Sequence, residues 1–385
     1  MDVTHNFFQR GIGGNDNSGT SPIYTFGYSP AIVDLQSRDA SGRYIRMPFN
    51  GGGSGTSNPF EVLDAVVNKE DVWRQAGNVR VNFTALSSAK NSVTLSYLGG
   101  VDRFQQEGYQ YSPNYLQFEP ADNFLGTANQ VDVSSFQFNQ GVNAVWTYTM
   151  GNKWLTSLTS SVGGSYETQN VNQYSLRGRG LLPTVQTPLN AQDIAITNQK
   201  VEFRDQSYYA NFQLLALEEK LALNYGLRAD RSSANGDREK FYNFPKYSAS
   251  YRFVKPFTNK IDEIKFRAAQ GKSGNRPRYA DRDILYANGG LIGGNASLVS
   301  NGLLGNTEVK PETMNELEYG TDMTFFGSRL GFEFSRYERK ITDLLLTFPL
   351  PPSSGLGNQI INGGQLSVQG NEFVASAVPI PKTPS

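Results

Sequence analysis

The sequence predicts an all-β chain, a segment of a transmembrane antiparallel β-barrel with short turns at one end and long loops at the other. Three observations predict it. Apolar and polar side chains alternate with period two over stretches of about eight residues or more, the pattern of strands with two unlike faces. The connections between these stretches alternate short and long, as they do in outer-membrane barrels. The 385 residues include 24 phenylalanines, 20 tyrosines and 39 glycines, a β-favouring composition, and no apolar run approaches the roughly 18 residues of a membrane helix.

About eleven strands follow from the alternation, near 71–86, 90–104, 132–149, 153–168, 201–216, 220–233, 244–254, 262–270, 313–326, 329–339 and 366–378. Val93, Leu95 and Tyr97 oppose Ser92, Thr94 and Ser96. Leu221, Leu223, Tyr225 and Leu227 oppose Ala222, Asn224, Gly226 and Arg228. Leu317, Tyr319, Met323 and Phe325 oppose Glu316, Glu318, Gly320 and Asp322, and after the Gly327-Ser328-Arg329 turn Leu330, Phe332 and Phe334 oppose Gly331, Glu333 and Ser335. Short connections near 87–89, 150–152, 217–219, 255–261 and 327–328 read as periplasmic turns. The long ones, 105–131, 169–200, 271–312 and 340–365, read as extracellular loops, since long structureless loops are uncommon in compact soluble domains. Residues 1–70 form a loop-rich N-terminal segment, 71–378 the barrel segment and 379–385 a proline-rich tail.

Two directions are open to the apolar face: inward, in a soluble β-sandwich, or outward, into lipid. Placing Glu316, Glu318 or Asp322 deep in hydrocarbon would cost up to about 2.5–3.5 kcal/mol each, so in a membrane the polar face lines the lumen. Asn224, Arg228, Glu316, Glu318, Asp322 and Glu333 are the expected lumen-facing residues. Trp146, Tyr148, Trp154, Tyr166 and Phe326, near strand ends, suit interfacial aromatic girdles.

Composition excludes several classes. Lys plus Arg and Asp plus Glu both number 35, so there is no basic excess for nucleic acid. Without cysteine and with a single histidine, His5, thiolate and histidine metal sites and a Ser-His-Asp triad are not available. No cofactor is expected. The glycine-rich stretches 50–55 and 289–295 lack the lysine and βα context of a phosphate loop, and Asp16 within 13–19 lacks the acidic spacing of an EF-hand. Glu316 with Glu318, or Asp281 with Asp283, have a spacing workable for glycoside hydrolysis, but alternation on a strand produces that spacing for solubility alone. The residues after Met1 have neither the charged nor the apolar region of a signal peptide.

Several linked motifs resemble one family, the SusC/RagA-type TonB-dependent outer-membrane transporters. "LGNTEVKPETMNELEYGTD" (304–322), "FFGSRL" (325–330) and "DLLLTFPLPPSSGLG" (343–357) carry the resemblance, with "NPFEVLD" (58–64), "FRAAQGKSGN" (266–275) and "INGGQLSVQGNEF" (361–373) in the same order as in the family. Lys310, Pro311, Glu312, Thr313, Gly320, Asp343, Pro351 and Pro352 are the motif residues. The resemblance implies a barrel of about 22 strands, of which this chain holds about half, and therefore an internal segment or truncated product that does not fold alone. Plug domain, TonB box, signal peptide and closing strand are not recognisable. It also implies transport, not catalysis, in the bacterial outer membrane. The implied partners are the TonB complex acting through the missing plug, a SusD-like lipoprotein, outer-membrane lipids, and an oligosaccharide or oligopeptide cargo. Tyr174, Arg177 and Arg179 in one long loop, and Arg278, Asp281, Arg282 and Tyr286 in another, are candidate cargo contacts by stacking and hydrogen bonding. The alternative is a soluble β-rich surface binding protein or adhesin.

Overall fold

The computed structural model describes residues 26–378 apart from 28, 47–56, 118, 120–122 and 259. His5, Asp16, the stretch at 50–55 and the proline-rich tail lie outside the described residues. Strands dominate: β1 (Val67–Ser87), β2 (Asn91–Ser112), β3 (Thr127–Thr149), β4 (Leu155–Arg179), β5 (Asp193–Ala216), β6 (Leu221–Ser232), β7 (Tyr242–Val254), β8 (Ile261–Asn275), β9 (Tyr286–Ile292), β10 (Asn295–Ser300), β11 (Leu303–Leu304), β12 (Glu312–Phe325), β13 (Leu330–Pro349) and β14 (Asn358–Ala377). All but β9 and β10 form one 12-stranded sheet in the order β1-β2-β3-β4-β5-β6-β7-β8-β12-β13-β14-β11. The described pairings between consecutive long strands from β5 to β14 are antiparallel.

The eleven expected strands are all present, with corrections to the loops between them. Three more strands appear inside the connection 271–312: a β9–β10 hairpin and the two-residue β11, which pairs parallel with β14. The loops 105–131, 169–200 and 340–365 shrink to 113–126, 180–192 and 350–357, because β2, β3, β4, β5, β13 and β14 run on well past the alternating stretches. A 25-residue strand such as β4 is roughly 80 Å long, whereas an outer-membrane barrel has an apolar band only about 25 Å tall. Outside such a band lipid no longer dictates which residues are apolar, so alternation fades while pairing continues. The N-terminal stretch is likewise less loop-like than expected: it contains α1 (Pro59–Ala65) and the start of β1 at Val67.

The chain divides into two compact units. One comprises residues 1–77, 101–137 and 169–202, and it has an interior of the soluble kind. Val62 packs with Leu116, and Tyr111, Ala128 and Leu181 form a second buried cluster. Asn58, fully buried, caps α1 by accepting from the Phe60 N–H at 3.0 Å and ties down two passing segments by donating to the carbonyls of Leu35 and Ile45. Arg43 donates to the buried Glu61 at 2.9 Å and lies over the Tyr115 ring. These contacts explain the asparagine, proline and glutamate of "NPFEVLD" as a cap and anchor.

The other unit comprises 78–100, 138–168 and 203–385. Val309 and Ile360 are fully buried in it, but many of its large apolar residues are exposed. Val81, Phe83, Val142, Val162, Tyr208, Tyr247, Phe266 and Phe332 each present about half or more of their surface. Register shows why they lie together. One row across the sheet reads Leu221, Tyr251, Phe266, Thr321, Phe334, Phe373, all directly paired and therefore on one face. The short turns close through left-handed residues, Leu217, Glu218 and Glu219 in one and Phe326, Gly327 and Ser328 in another.

Candidate functional site

The face opposite that apolar row is polar and ion-paired. A row along it runs Asn224, Ser248, Ala269, Glu318, Tyr337, Gly370, and another pairs Arg252, Lys265, Asp322 and Glu333. Arg228 is an even number of positions from Asn224, and Glu316 from Glu318, so all six expected lumen residues share this face. Arg267 is its hub. The guanidinium donates to Glu318, to Asp322 at 3.3 Å and to the Ser335 hydroxyl, while Lys265 pairs with Asp322 at 3.4 Å. Arg339 donates to Glu316 at 2.6 Å. Gly320 sits among these groups because nothing larger fits: a Cβ there would lie 2.4 Å from the Phe334 carbonyl oxygen.

Farther along the same face is a polar recess of about 260 Å3 lined by Asp205, Ser207, Arg228, Asp230, Asn235 and Arg276, among others. Arg228 donates to Asp230 at 2.7 Å and to Ser207 at 2.9 Å. Arg276 donates to Asp205 and lies 3.9 Å from the centre of the Phe203 ring. The Oδ1 atoms of Asp205 and Asn235 are buried with no hydrogen-bond partner among the described residues. A buried acceptor left open is costly, so these two atoms mark where an incoming donor gains most.

The motif residues turn out to clamp the loop to the sheet. Lys310 pairs with Asp343 at 2.9 Å, and Asn362 bridges both segments, accepting from the Lys310 N–H and donating to the carbonyls of Lys310 and Asp343. Asp343, read as loop, is a left-handed residue inside β13 with φ 57°. Pro311 is buried, and Glu312 and Thr313 begin β12, where Glu312 accepts from the Leu345 N–H at 2.8 Å. Pairing of β13 ends at Pro349, and Pro351 and Pro352 lead into a short 3-10 turn closed by Gly355 at φ 71°.

The expected cargo contacts are placed differently from one another. Tyr174, Arg177 and Arg179 are in β4 and not in a loop, because β4 extends to Arg179. Tyr174 and Arg177 are exposed, and Arg179 pairs with Asp193 at 2.7 Å. Tyr286 opens β9 and is exposed. Asp281 is buried and holds its own turn, accepting from the Arg278 N–H at 2.8 Å. Arg282 is mostly buried, and its Nε has no hydrogen-bond partner among the described residues. Sequence reading missed Arg267, Arg339, Lys265, Arg276 and Asp205. Arg339 shares the parity of Glu333 on β13, which is the signal that would have found it; Lys265 and Arg267 lie on β8, where no expected residue marks the polar face. No cluster of histidine, cysteine or carboxylate residues able to hold a metal occurs among the described residues.

Residues 4–378 match the family model for "TonB dependent receptor-like, beta-barrel". Two receptors of Formosa agariphila are similar in sequence: TonB-dependent receptor P3, 26% identical over 94% of this chain and 35% of its own length, and TonB-dependent receptor P26, 25% identical over 83% and 33%. The chain thus spans about a third of the length of these relatives. Among solved structures, the RagAB peptide transporter superposes with TM-score 0.70 at 14% identity, covering 89% of this chain and 38% of that one. The ferric-catecholate import receptor Fiu of E. coli superposes with TM-score 0.51 at 16% identity, covering 82% and 46%. The apolar exposed face, the ion-paired opposite face and these matches agree: the chain belongs to the TonB-dependent receptor-like β-barrel family of outer-membrane proteins.

Proposed function

We propose that this chain forms part of the wall of an outer-membrane importer of oligopeptides. The observation that carries the reading is the mixed-sign recess on the polar face, where Arg228, Arg276, Asp205 and Asp230 stand beside the open acceptors of Asp205 and Asn235. A peptide offers N–H donors to such acceptors and charged groups of both signs to such pairs; a neutral oligosaccharide offers hydroxyls but no charge. The fold likeness to a peptide transporter supports the same choice. Import draws on the TonB complex through a plug carried by the rest of the protein, and a SusD-like lipoprotein delivers cargo to the long loops. Tyr174, Arg177, Arg278, Arg282 and Tyr286 are first contacts on that side. Lumen residues Asn224, Glu316, Glu318, Asp322 and Glu333 keep the path wet.

The test is uptake of a defined peptide mixture by cells carrying the whole receptor, with Arg228→Gln plus Arg276→Gln introduced. Peptide uptake falls at least tenfold while surface amount and heat-modifiable mobility stay unchanged. Unchanged peptide uptake, or equal loss for a neutral oligosaccharide supplied as sole carbon source, contradicts the peptide assignment.

A further inference from the structure

On the apolar side of the sheet, the character of the exposed residues changes along the strands. Above the row of Leu221, Tyr251, Phe266, Thr321, Phe334 and Phe373 comes Leu223, Ala249, Ala268, Tyr319, Arg336, Asn371, then Tyr225, Tyr247, Gln270, Leu317, Glu338, Gln369. The next row reads Lys272, Asn315, Lys340, Ser367. The border between apolar and polar thus crosses the strands diagonally, as strand tilt against a flat membrane requires. On β12 the outward residues from Phe325 to Leu317 span roughly 27 Å of strand, or about 20 Å of height at a tilt near 40°, close to the apolar band of such barrels. Tyr319 and Tyr247 lie at its upper limit, where interfacial tyrosines belong.

Directly beyond them the surface dips into a recess of about 380 Å3 lined by Tyr247, Gln270, Lys272, Thr313, Asn315 and Lys340, with Pro245 and Thr342. The two lysines flank Asn315 in the ladder, one on each neighbouring strand, so their backbones are roughly 10 Å apart and both ammonium groups can reach one anion over Asn315. Both are exposed, and neither makes an ion pair among the described residues. Several other cations of this unit do have carboxylate partners across the sheet, as Arg267, Arg276 and Arg339 show. Glu338 shares the outward face, but so does Arg336, leaving the patch net positive.

We propose that this recess seats the phosphorylated headgroup of an outer-leaflet lipid, with Lys272 and Lys340 holding the phosphate and Asn315, Gln270 and Thr313 supplying neutral hydrogen bonds. Location selects the occupant. The apolar rows just below would meet its acyl chains, and unpaired lysines at headgroup level attract anionic lipid. Lysine's long stem lets the charge stand at the interface above apolar surface. The site rests on the membrane-facing direction of the apolar rows and is independent of the cargo.

The experiment uses the whole receptor in detergent, titrated with a bisphosphorylated lipid A and followed by native mass spectrometry. Lys272→Gln plus Lys340→Gln weakens binding about 30-fold, and each single change about fivefold. Lys246→Gln, on the opposite face, leaves it unchanged. Removing both phosphates from the lipid weakens binding to the wild type as much as the double variant does. Three outcomes overturn the site: unchanged binding by the double variant, equal binding of the dephosphorylated lipid, or full competition by millimolar inorganic phosphate, which would mean a site for soluble anions. If the double variant does not fold, as heat-modifiable mobility reports, the single variants decide. Quenching of a tryptophan at Phe266 by brominated acyl chains, checked in parallel, tells failure of the headgroup site from failure of the membrane-facing direction itself.

Discussion

In the unit built from residues 1–77, 101–137 and 169–202, Leu116 and Ala128 are withdrawn from solvent almost completely, and Arg38 and Arg43 pair with carboxylates of α1. In the other unit Phe266 is 52% exposed and Phe332 49%, whereas Arg267 is half-buried among three partners. One chain therefore follows two opposite burial rules. Water is the solvent that the first unit organises itself against. In the second unit hydrocarbon lies outside, and the polar side chains satisfy one another across the sheet. The difference teaches that alternation by itself is mute about direction; what lies beyond the apolar face decides which residues are expensive to move.

That contrast yields predictions that pull the two units apart. Leu116→Ala empties a closed site and should cost about 2–5 kcal/mol, equally in detergent and in lipid, as unfolding in urea would show. Phe266→Arg should cost about 2–4 kcal/mol in lipid vesicles. A water-exposed Phe266 would tolerate the same change within about 0.5 kcal/mol, so the size of this effect alone separates the two environments. Gly320→Ala should cost about 1–3 kcal/mol through the clash with the Phe334 carbonyl, and Gly271→Ala, where a Cβ meets nothing within 4 Å, should cost far less. Arg267→Gln should cost about 1–3 kcal/mol, between the values for exposed and buried pairs, with Glu318→Gln in the same background restoring part of it.

The smallest effect concerns pH. The Ser41 hydroxyl and then the Arg43 N–H, both donating to Asp39, hold that carboxyl below its ordinary value. Because the folded value is depressed, the contribution is complete above the unfolded value and fades as pH falls through roughly 3.9 and below. Faster hydrogen exchange at the Arg43 amide below that pH, absent in Asp39→Asn, would show it.

The membrane-facing strands were legible because one face meets lipid and the other water, which writes period two into Leu317, Tyr319 and Met323 against Glu316, Glu318 and Asp322. Their continuations were not. Tyr174, Arg177 and Arg179 read as loop because the far end of β4 carries no apolar and polar alternation, although Leu176 among them is buried. The small β9–β10 hairpin, built on "YANGGLI", was hidden by glycines that also fit a mobile loop. Lys310, Asp343 and Asn362 were visible as a motif, but the clamp they form joins residues far apart in sequence, and only the register of β13 against β14 brings them together. Arg267 was overlooked inside "FRAAQ", where two alanines blur the alternation. Asp281, whose loop position predicts a cargo contact, is buried in service of its own turn.

The most direct measurement exploits the absence of cysteine from this sequence. Single cysteines would be placed at Glu318, Tyr319, Asp322 and Met323 in the whole receptor, in intact outer membranes, and treated with a charged, water-soluble maleimide. Outward apolar and inward polar faces predict rapid labelling at 318 and 322 and protection at 319 and 323, with protection lost when the membrane is dissolved in denaturant. Equal labelling at all four positions, or labelling at 319 and 323 with protection at 318 and 322, would contradict it.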